Sequence, residues 1–354
     1  GGPPEGGRYP PPPRKVELGR PATASILISD TIASPSINEL RLWTGGQVNR
    51  GGTGSLRQSR LAIEAGGDIN LGASANRVDV VALTSTGGSI NFGNGQSFAV
   101  GEVAGQAGAT ASGGVALTAF SGNLTVSDTS AAADVSAGST VIFTGSANDA
   151  TVSVAPSAQV SGDVVDFRTD EVDLGGTVAA TTQVNFRTDD PIDVGADGDT
   201  QLGTMELSGA ELNRIIAPTV EIGRPATAYI RLSDLVAPAR IDTIHLFADN
   251  GVDAGDTGAI AVSQLAISSV GSVSLKNWTL GNSVQVLAAE LTGVGSSIHF
   301  ENDGPLFIGT VDGVSGVTTG GGGSTIVTHS PLTVNAAIKD TGGGNIRLTA
   351  SNDG

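Results

Sequence analysis

The chain has 354 residues, no cysteine and a formal net charge of −17, with 39% hydrophobic and only 4% aromatic residues. Affinity for nucleic acid depends on Lys and Arg neutralising phosphates, so this acidic balance predicts no nucleic-acid partner. The missing cysteines exclude disulfides and thiolate metal sites. No apolar run approaches the roughly 18 residues of a membrane helix, and we expect no membrane insertion.

Residues 1–15 differ from the rest of the chain by their Pro/Gly composition. The run Pro10 to Pro13 favours polyproline II, and two interpretations remain open: a plain linker, or an arm docked on its own body or on a neighbouring molecule. The second interpretation gives an assembly role to Tyr9, Pro10, Pro11, Pro12 and Pro13. The chain starts at Gly1 and its only Met is Met205, so we expect a processed product or a segment of a longer protein.

From Val16 onward, short β-rich runs are separated by turns of Gly, Asn, Asp or Ser. In runs such as Asp68–Leu71 and Ser89–Phe92, apolar and polar residues alternate, which is the period of a strand with one buried face. The segment from Met205 to Ile216 comes closest to a helical period, but its position just before a repeated motif favours strand and turn. The sequence therefore predicts an all-β chain.

A long internal repeat runs through the chain, and such a repeat has to be recognised before the fold is assigned. Val16–Ala24 (VELGRPATA) returns as Val220–Ala228 (VEIGRPATA), 204 residues later. The match continues beyond an insertion of about four residues, as far as Leu124–Val126 and Leu332–Val334. We therefore divide the chain into an extended arm (1–15), a first repeat (16–219) and a second, incomplete repeat (220–354).

A shorter repeat gives the length of one structural unit. Phe167–Glu171 (FRTDE) returns as Phe186–Asp190 (FRTDD), 19 residues further on. An antiparallel sandwich gives no reason for recurrence at about 20 residues, whereas a parallel β-helix places like residues above like in successive coils. The predicted fold is an all-β, right-handed parallel β-helix (β-solenoid) rod. At about 20 residues per coil it has about 17 coils and a length near 80 Å, from the ~4.8 Å strand spacing.

Several segments resemble the repeat body of filamentous-haemagglutinin-type bacterial exoproteins. Glu211–Gly223 (ELNRIIAPTVEIG) is similar to that family's recurring phrase L-x-x-I-x-A-x-T-L-x-I-G. Leu306–Thr319, Leu332–Ile338 and Gly344–Ala350 resemble the same repeat body in the same order. The resemblance implies parallel β-helices at the surface of, or secreted by, mainly Gram-negative bacteria. It implies export through an outer-membrane barrel and a role in adhesion, aggregation or biofilm structure.

From the architecture and this resemblance we expect a non-enzymatic structural protein, located outside the cell or on the outer surface of a bacterium. The expected partners are further copies of itself, as a homopolymer or longer fibre, and host or matrix glycans. Two alternatives stay open: an adhesin stalk that displays a separate binding tip, and a β-helix polysaccharide lyase or hydrolase.

The lyase alternative depends on the two Phe-Arg-Thr-Asp copies, which should stack Arg168 over Arg187 and Asp170 over Asp189. A cluster of basic and acidic side chains on a β-helix flank suits proton abstraction from an acidic sugar. The non-catalytic interpretation, which we favour, is a surface ladder in which Arg and Asp neutralise each other across coils.

A weak calcium candidate lies at Asp193, Asp197 and Asp199, which place carboxylate oxygens at alternating positions. The closing bidentate Glu of a calcium loop is missing, and an ordinary acidic turn is the favoured interpretation. No other cofactor is expected.

The remaining chemistry-bearing residues are interpreted as structural. The three histidines are placed on strand flanks, far from ligands at metal-binding spacing, and the glycine run as a solenoid loop without the Lys-Ser/Thr of a phosphate loop. The aromatic residues are assigned to packing rather than to stacking on sugars, and the two N-x-T sequons carry little weight in a bacterial chain. These residues are His245, His299, His329, Gly320–Gly323, Trp43, Trp278, Tyr229, Asn123 and Asn277.

Overall fold

A computed structural model describes residues 14–195, 203–276 and 281–351. Of these residues 60% are in strands and 1% in helix, and the parallel strands stack into a β-solenoid of about 15 turns with about 22 residues per turn. The predicted all-β parallel solenoid is confirmed. The prediction of about 17 coils was too high, because hairpins and loops that leave the coil lengthen the average turn. At ~4.8 Å per coil the rod is about 70 Å long.

The strands up to Val194 are short, and most cover one face of one coil. They are β1 (Lys15–Arg20), β2 (Ser25–Ile28), β3 (Thr31–Ala33), β4 (Glu39–Thr44), β5 (Gln47–Arg50), β6 (Ser55–Ala65), β7 (Ile69–Gly72), β8 (Arg77–Ser85), β9 (Ile90–Asn94), β10 (Phe98–Val100), β11 (Glu102–Val103), β12 (Gln106–Ala107), β13 (Ala109–Ala111), β14 (Val115–Ala119), β15 (Leu124–Val126), β16 (Val135–Ala137), β17 (Thr140–Gly145), β18 (Thr151–Val154), β19 (Gln159–Arg168), β20 (Glu171–Leu174), β21 (Thr177–Arg187) and β22 (Ile192–Val194).

The part of the chain from Met205 onward continues in the same way and contains one short helix. Its elements are β23 (Met205–Leu207), α1 (Gly209–Leu212), β24 (Ile215–Gly223), β25 (Ile230–Leu232), β26 (Leu235–Val236), β27 (Ile241–Ala248), β28 (Gly251–Asp253), β29 (Ala259–Ser269), β30 (Ser272–Leu275), β31 (Ser283–Leu291), β32 (Ser297–Asn302), β33 (Leu306–Ile308), β34 (Thr310–Val311), β35 (Val314–Ser315), β36 (Val317–Thr319), β37 (Gly323–Thr328), β38 (Leu332–Val334), β39 (Ile338–Asp340) and β40 (Ile346–Ala350).

Stacking in register builds the core. β6 pairs with β4 on one side and with β8 on the other, which places Leu40, Leu61 and Val81 in one row. All three side chains are fully buried. Because successive residues of a strand point to opposite faces, every second residue joins such a row, and each buried Leu or Val contributes about 1.5–3 kcal/mol.

The Phe-Arg-Thr-Asp repeat adds an aromatic row to this core. Phe143, Phe167 and Phe186 are Cα partners on β17, β19 and β21, with ring centroids 5.3 Å apart at each step. All three are fully buried. The 19-residue recurrence is therefore the length of one coil without an insertion.

Buried asparagines close the corners of both repeats, a feature that the sequence reading missed. Asn94 accepts from the Val78 amide (3.0 Å) and donates to the Val78 carbonyl (2.9 Å). Asn302 makes the same two bonds with Val284, at 2.8 and 3.1 Å. Both asparagines are fully buried. Their side chains take over the backbone bonds that the turning chain cannot make to its neighbour coil.

The two repeats also share a hairpin on the outside of the solenoid. In the first, β11 and β12 pair antiparallel, and Val103 packs on Ala62 and Ala82. In the second, β34 and β35 pair antiparallel, and Val311 packs on Ala266 and Ala288. Small outward-facing side chains on the coil leave room for each hairpin to lie flat. This outer hairpin, residues 102–107 or 310–315, is the most distinct surface feature of each repeat.

The Met205–Ile216 segment was predicted as strand and turn, which is correct at its ends and wrong in its middle. Ser208 caps α1 by accepting from the Glu211 amide, and Glu211 accepts from the Ser208 amide in return. This capping box satisfies two free donors and starts the single helical turn. β22 pairs with β23 on one side and with β25 on the other, so β23 is an additional strand in the stack at this point. The border at 219/220 falls inside β24, and the solenoid runs through it without a break.

Replacing Asn94 by Ala should lower the free energy of unfolding by about 2 kcal/mol, since it leaves the buried Val78 amide and carbonyl without partners. Urea unfolding followed by circular dichroism measures the change. Asn70→Ala is the matched control, because Asn70 lies on the exposed face of a neighbouring strand and bonds only Asn49. It should change stability by less than about 0.5 kcal/mol. Equal effects of the two substitutions would contradict the role given to Asn94.

Asp340 organises the glycine-rich corner near the last described coil. A bond from the Thr319 hydroxyl (2.7 Å), together with amide bonds from Gly344, Gly323 and Gly342, lowers its pKa from 3.8 to about 2. The Gly320–Gly323 run is thus a solenoid loop whose amides at Gly321 and Gly323 serve the chain's own carboxylate.

The lowered pKa predicts a pH dependence. The charged form is favoured in the folded state, so its contribution to stability is complete above pH 3.8 and is lost as the pH falls towards 2. Asp340→Asn should therefore melt at a lower temperature than the wild type at pH 7, and the difference should shrink between pH 4 and pH 2. Melting curves over this range test the prediction, and a difference that does not vary with pH would refute it.

Candidate functional site

The Phe and Arg residues of the two Phe-Arg-Thr-Asp copies stack as predicted, and the strand pairing ends there, before Asp170 and Asp189. Arg168 on β19 is the Cα partner of Arg187 on β21, with the phenylalanines facing inward and the arginines outward. Their main acidic partner is Asp166, one row earlier, which is 3% exposed. Arg168 Nη2 lies 2.7 Å from Asp166 Oδ2, and Arg187 Nε lies 3.1 Å from Oδ1, an ion-pair contact outside hydrogen-bond geometry. The expected ladder exists, but it is centred on a residue that the sequence reading did not name.

The two Asp residues of the motif, Asp170 and Asp189, have other partners. Asp189 pairs with Arg224, whereas Asp170 accepts from the Asp149 amide (3.1 Å) and faces Asp190. Together with the two arginines they surround a polar cleft of about 570 Å³. We call this the repeat cleft; its lining residues are Gly145, Asn148, Arg168, Thr169, Asp170, Arg187, Thr188, Asp189, Asp190 and Arg224.

Asp190 is the electrostatically perturbed group of the repeat cleft. Burial, the charges of Asp170 and Asp149, a hydrogen bond with Asp170 and the charge of Asp189 all raise the pKa of Asp190 above 3.8. Asp190 therefore holds a proton more readily than an isolated carboxyl does. A carboxyl pair beside arginines can bind the hydroxyls and carboxylates of a sugar chain.

Asp190→Asn should raise the melting temperature at neutral pH, because the folded state of the wild type then carries an unfavourable charge. Stability falls as pH rises above 3.8 when a folded-state pKa is raised. The gain should be about 0.2–1 kcal/mol, the usual size of the interaction between solvent-accessible charges. Asp242→Asn, at an exposed position on β27, is the control and should leave the melting temperature nearly unchanged. A lower melting temperature for Asp190→Asn would overturn this account of the cleft.

The calcium candidate is described only at Asp193. Its side chain is 6% exposed and accepts from the Ser233 hydroxyl, while Glu206 and Arg231 are its Cα partners on the neighbouring strands. Asp197 and Asp199 lie outside the described residues, so the weak calcium loop stays a prediction.

The histidines differ from one another. His299 has its pKa lowered by burial and by Lys276, and His329 lies between Glu301 (3.1 Å) and Ser351 (3.2 Å). The prediction that all three lie away from possible ligands is wrong for His329, which contacts Glu301, and for His245, which is 3% exposed and contacts Asp312. The fold brings the carboxylates of Glu221 and Asp312 close to His245. In the sequence, only the alignment of the two repeats could have indicated this group.

The aromatic and sequon candidates are scattered. The Trp43 ring is covered by the guanidinium of Arg41, 4.7 Å from its centroid. Tyr229 is 42% exposed and borders a second cleft of about 550 Å³ with Ile230 and Arg231. Asn123 is exposed and accepts from the Thr151 amide. The remaining candidates lie outside the described residues; they are Trp278, Asn277, Tyr9, Pro10, Pro11, Pro12 and Pro13.

No helix in the described part of the chain is long and apolar enough to cross a membrane. Comparison with known proteins gives no relative: no family model, no curated protein and no solved structure matches this chain.

Proposed function

We propose that this protein is a structural β-solenoid rod of a bacterial extracellular or cell-surface fibre, in which coils continue from one rod into the next. The observation that carries the proposal is the pairing at the two ends of the described chain. Strands β1, β2 and β3 pair only with β4, β5 and β6, and strands β38, β39 and β40 pair only with β33, β36 and β37.

The outer edges of these end strands, which have no strand partner among the described residues, also carry apolar side chains. Leu18, in the inward row of Leu42, is 41% exposed at one end, and Val334 (48%) and Ile346 (45%) are exposed at the other. Unpaired parallel edges with apolar rows are templates for a further strand. A second copy of this chain suits them, because the solenoid stacks a repeat on a repeat within the chain itself. The new coil would bury these side chains and pair the free backbone groups.

The repeat cleft supports a second candidate, a role on glycans. Three arginines and the Asp170–Asp190 pair line a cleft large enough for sugar rings. Binding of acidic or neutral polysaccharide would make the rod an adhesin or matrix stalk. Release of unsaturated or reducing sugars that Asp170→Asn or Asp190→Asn abolishes would instead indicate a lyase or hydrolase.

Electron microscopy of the purified chain at neutral pH tests the rod proposal. We expect filaments with an axial repeat near 70 Å, the length of about 15 coils at ~4.8 Å. Leu18→Lys and Val334→Lys place charges on the two outer edges and should shorten or abolish the filaments, as edge lysines do in natural sheets. Val270→Lys, at an exposed corner away from the ends (45%), is the control. Isolated rods from the wild-type chain would contradict end-to-end assembly and favour a stalk.

A further inference from the structure

The outer hairpin of the second repeat reaches back across the solenoid to His245. β34 and β35 lie over Ala266 and Ala288, and the turn between them is formed by Asp312 (φ 45°) and Gly313 (φ 83°). Both residues are in the left-handed region, which suits a tight hairpin turn. Asp312 is thereby held at the tip, above the row that contains His245.

His245 is fixed at both ring nitrogens. Nδ1 lies 2.8 Å from Asp312 Oδ2 and Nε2 lies 2.9 Å from Ser268 Oγ. The ring stacks on Phe247 with centroids 3.8 Å apart. Glu221 is its Cα partner on the preceding coil. One ligand atom from each of Glu221, His245 and Asp312 lies within 4.8 Å of the other two.

We propose that Glu221, His245 and Asp312 bind a divalent transition metal ion, with Zn²⁺ as the probe. One imidazole nitrogen and two carboxylate oxygens are ligands that Zn²⁺ accepts, and a fourth position is left for water. Nδ1 would bind the metal while Nε2–H donates to Ser268, the outer contact that orients a metal-binding histidine. Glu221 meets Arg187 only at 3.5 Å, which leaves carboxylate lone pairs for a metal. The ion would tie the hairpin tip to the coil.

The first repeat provides an internal comparison. At the positions equivalent to Glu221, His245 and Asp312 it has Glu17, Arg41 and Ala104. Arg41 there pairs with Glu64 at 3.0 Å. The same coil and hairpin thus carry a permanent cation in one repeat and three metal-ligand side chains in the other. The difference comes from two positions: Arg41 corresponds to His245 on the coil, and Ala104 corresponds to Asp312 at the hairpin tip.

The arrangement of these residues suits metal binding better than catalysis of acyl transfer. Ser268, His245 and Asp312 stand in the order of a hydrolytic triad, and a cavity of about 150 Å³ borders Ser268. Ser268, however, lies within regular strand β29, between Phe247 and Glu290 of the adjacent strands. The backbone N–H groups around it serve this ladder, so they do not form the pair of donors that stabilises an oxyanion.

The test uses the untagged full chain, stripped with a chelator and dialysed against Zn²⁺ at pH 7.5. We expect one tightly held Zn²⁺ per chain by elemental analysis. Asp312→Asn, which keeps a residue tolerant of the left-handed turn, and His245→Arg, which installs the residue of the first repeat, should each abolish it. Ser268→Ala should weaken binding about 10–100-fold. His329→Gln is the matched control and should leave the bound metal unchanged.

A second readout does not depend on stoichiometry. Zn²⁺ should slow hydrogen exchange of the amides in residues 310–315 in the wild type and leave those of 102–107 unaffected. Asp312→Asn should remove the effect while the far-ultraviolet circular dichroism stays native. Failure of the folded wild type to retain Zn²⁺, or retention undiminished in Asp312→Asn and His245→Arg, would overturn the proposal. Neither result depends on whether the rods form filaments.

Discussion

In-register parallel stacking is the constraint on which the rest of this structure depends. The strands of a single coil direct half of their backbone hydrogen-bonding groups to the coil above and half to the coil below, and the coil leaves its apolar side chains open at both sides. Each coil is therefore stable only between neighbours, and stability accumulates along the axis. The same requirement explains why like residues recur in rows, as with Phe143, Phe167 and Phe186. It is also the reason why we propose the strands at the two described ends as the places of assembly.

Polar residues enter this stack where the regular ladder cannot continue. Asn94 and Asn302 bond the backbone at corners, and Asp340 gathers amides of the glycine-rich loops. Asp166 compensates two stacked arginines in the same way. A rod with few aromatic residues and no disulfide thus depends on side chains that replace missing backbone bonds, since an unpaired buried polar group costs about 1–3 kcal/mol.

The duplicated hairpin shows how one scaffold carries two surface chemistries. The coil beneath it needs only small residues, Ala62 and Ala82 or Ala266 and Ala288, and this packing is the same in both repeats. The hairpin tip and the row it touches are free to differ, because neither contributes to the core. If the second repeat binds a metal there, the hairpin becomes a ligand-controlled element on an otherwise rigid rod.

The all-β class, the parallel solenoid and the stacking of Arg168 on Arg187 followed from the sequence alone. Residues that stack in a solenoid recur in the sequence at the length of one coil, so the repeat predicts which residues stack. The turn of helix at Gly209–Leu212 did not, since a local capping box outweighed the strand pattern around it. The repeat cleft and the group of Glu221, His245 and Asp312 were decided only by tertiary structure. The members of each come from different coils. Asp312, at the tip of a hairpin, is 67 residues beyond His245 in the sequence, and coil stacking together with the folding back of the hairpin brings the two to hydrogen-bond distance.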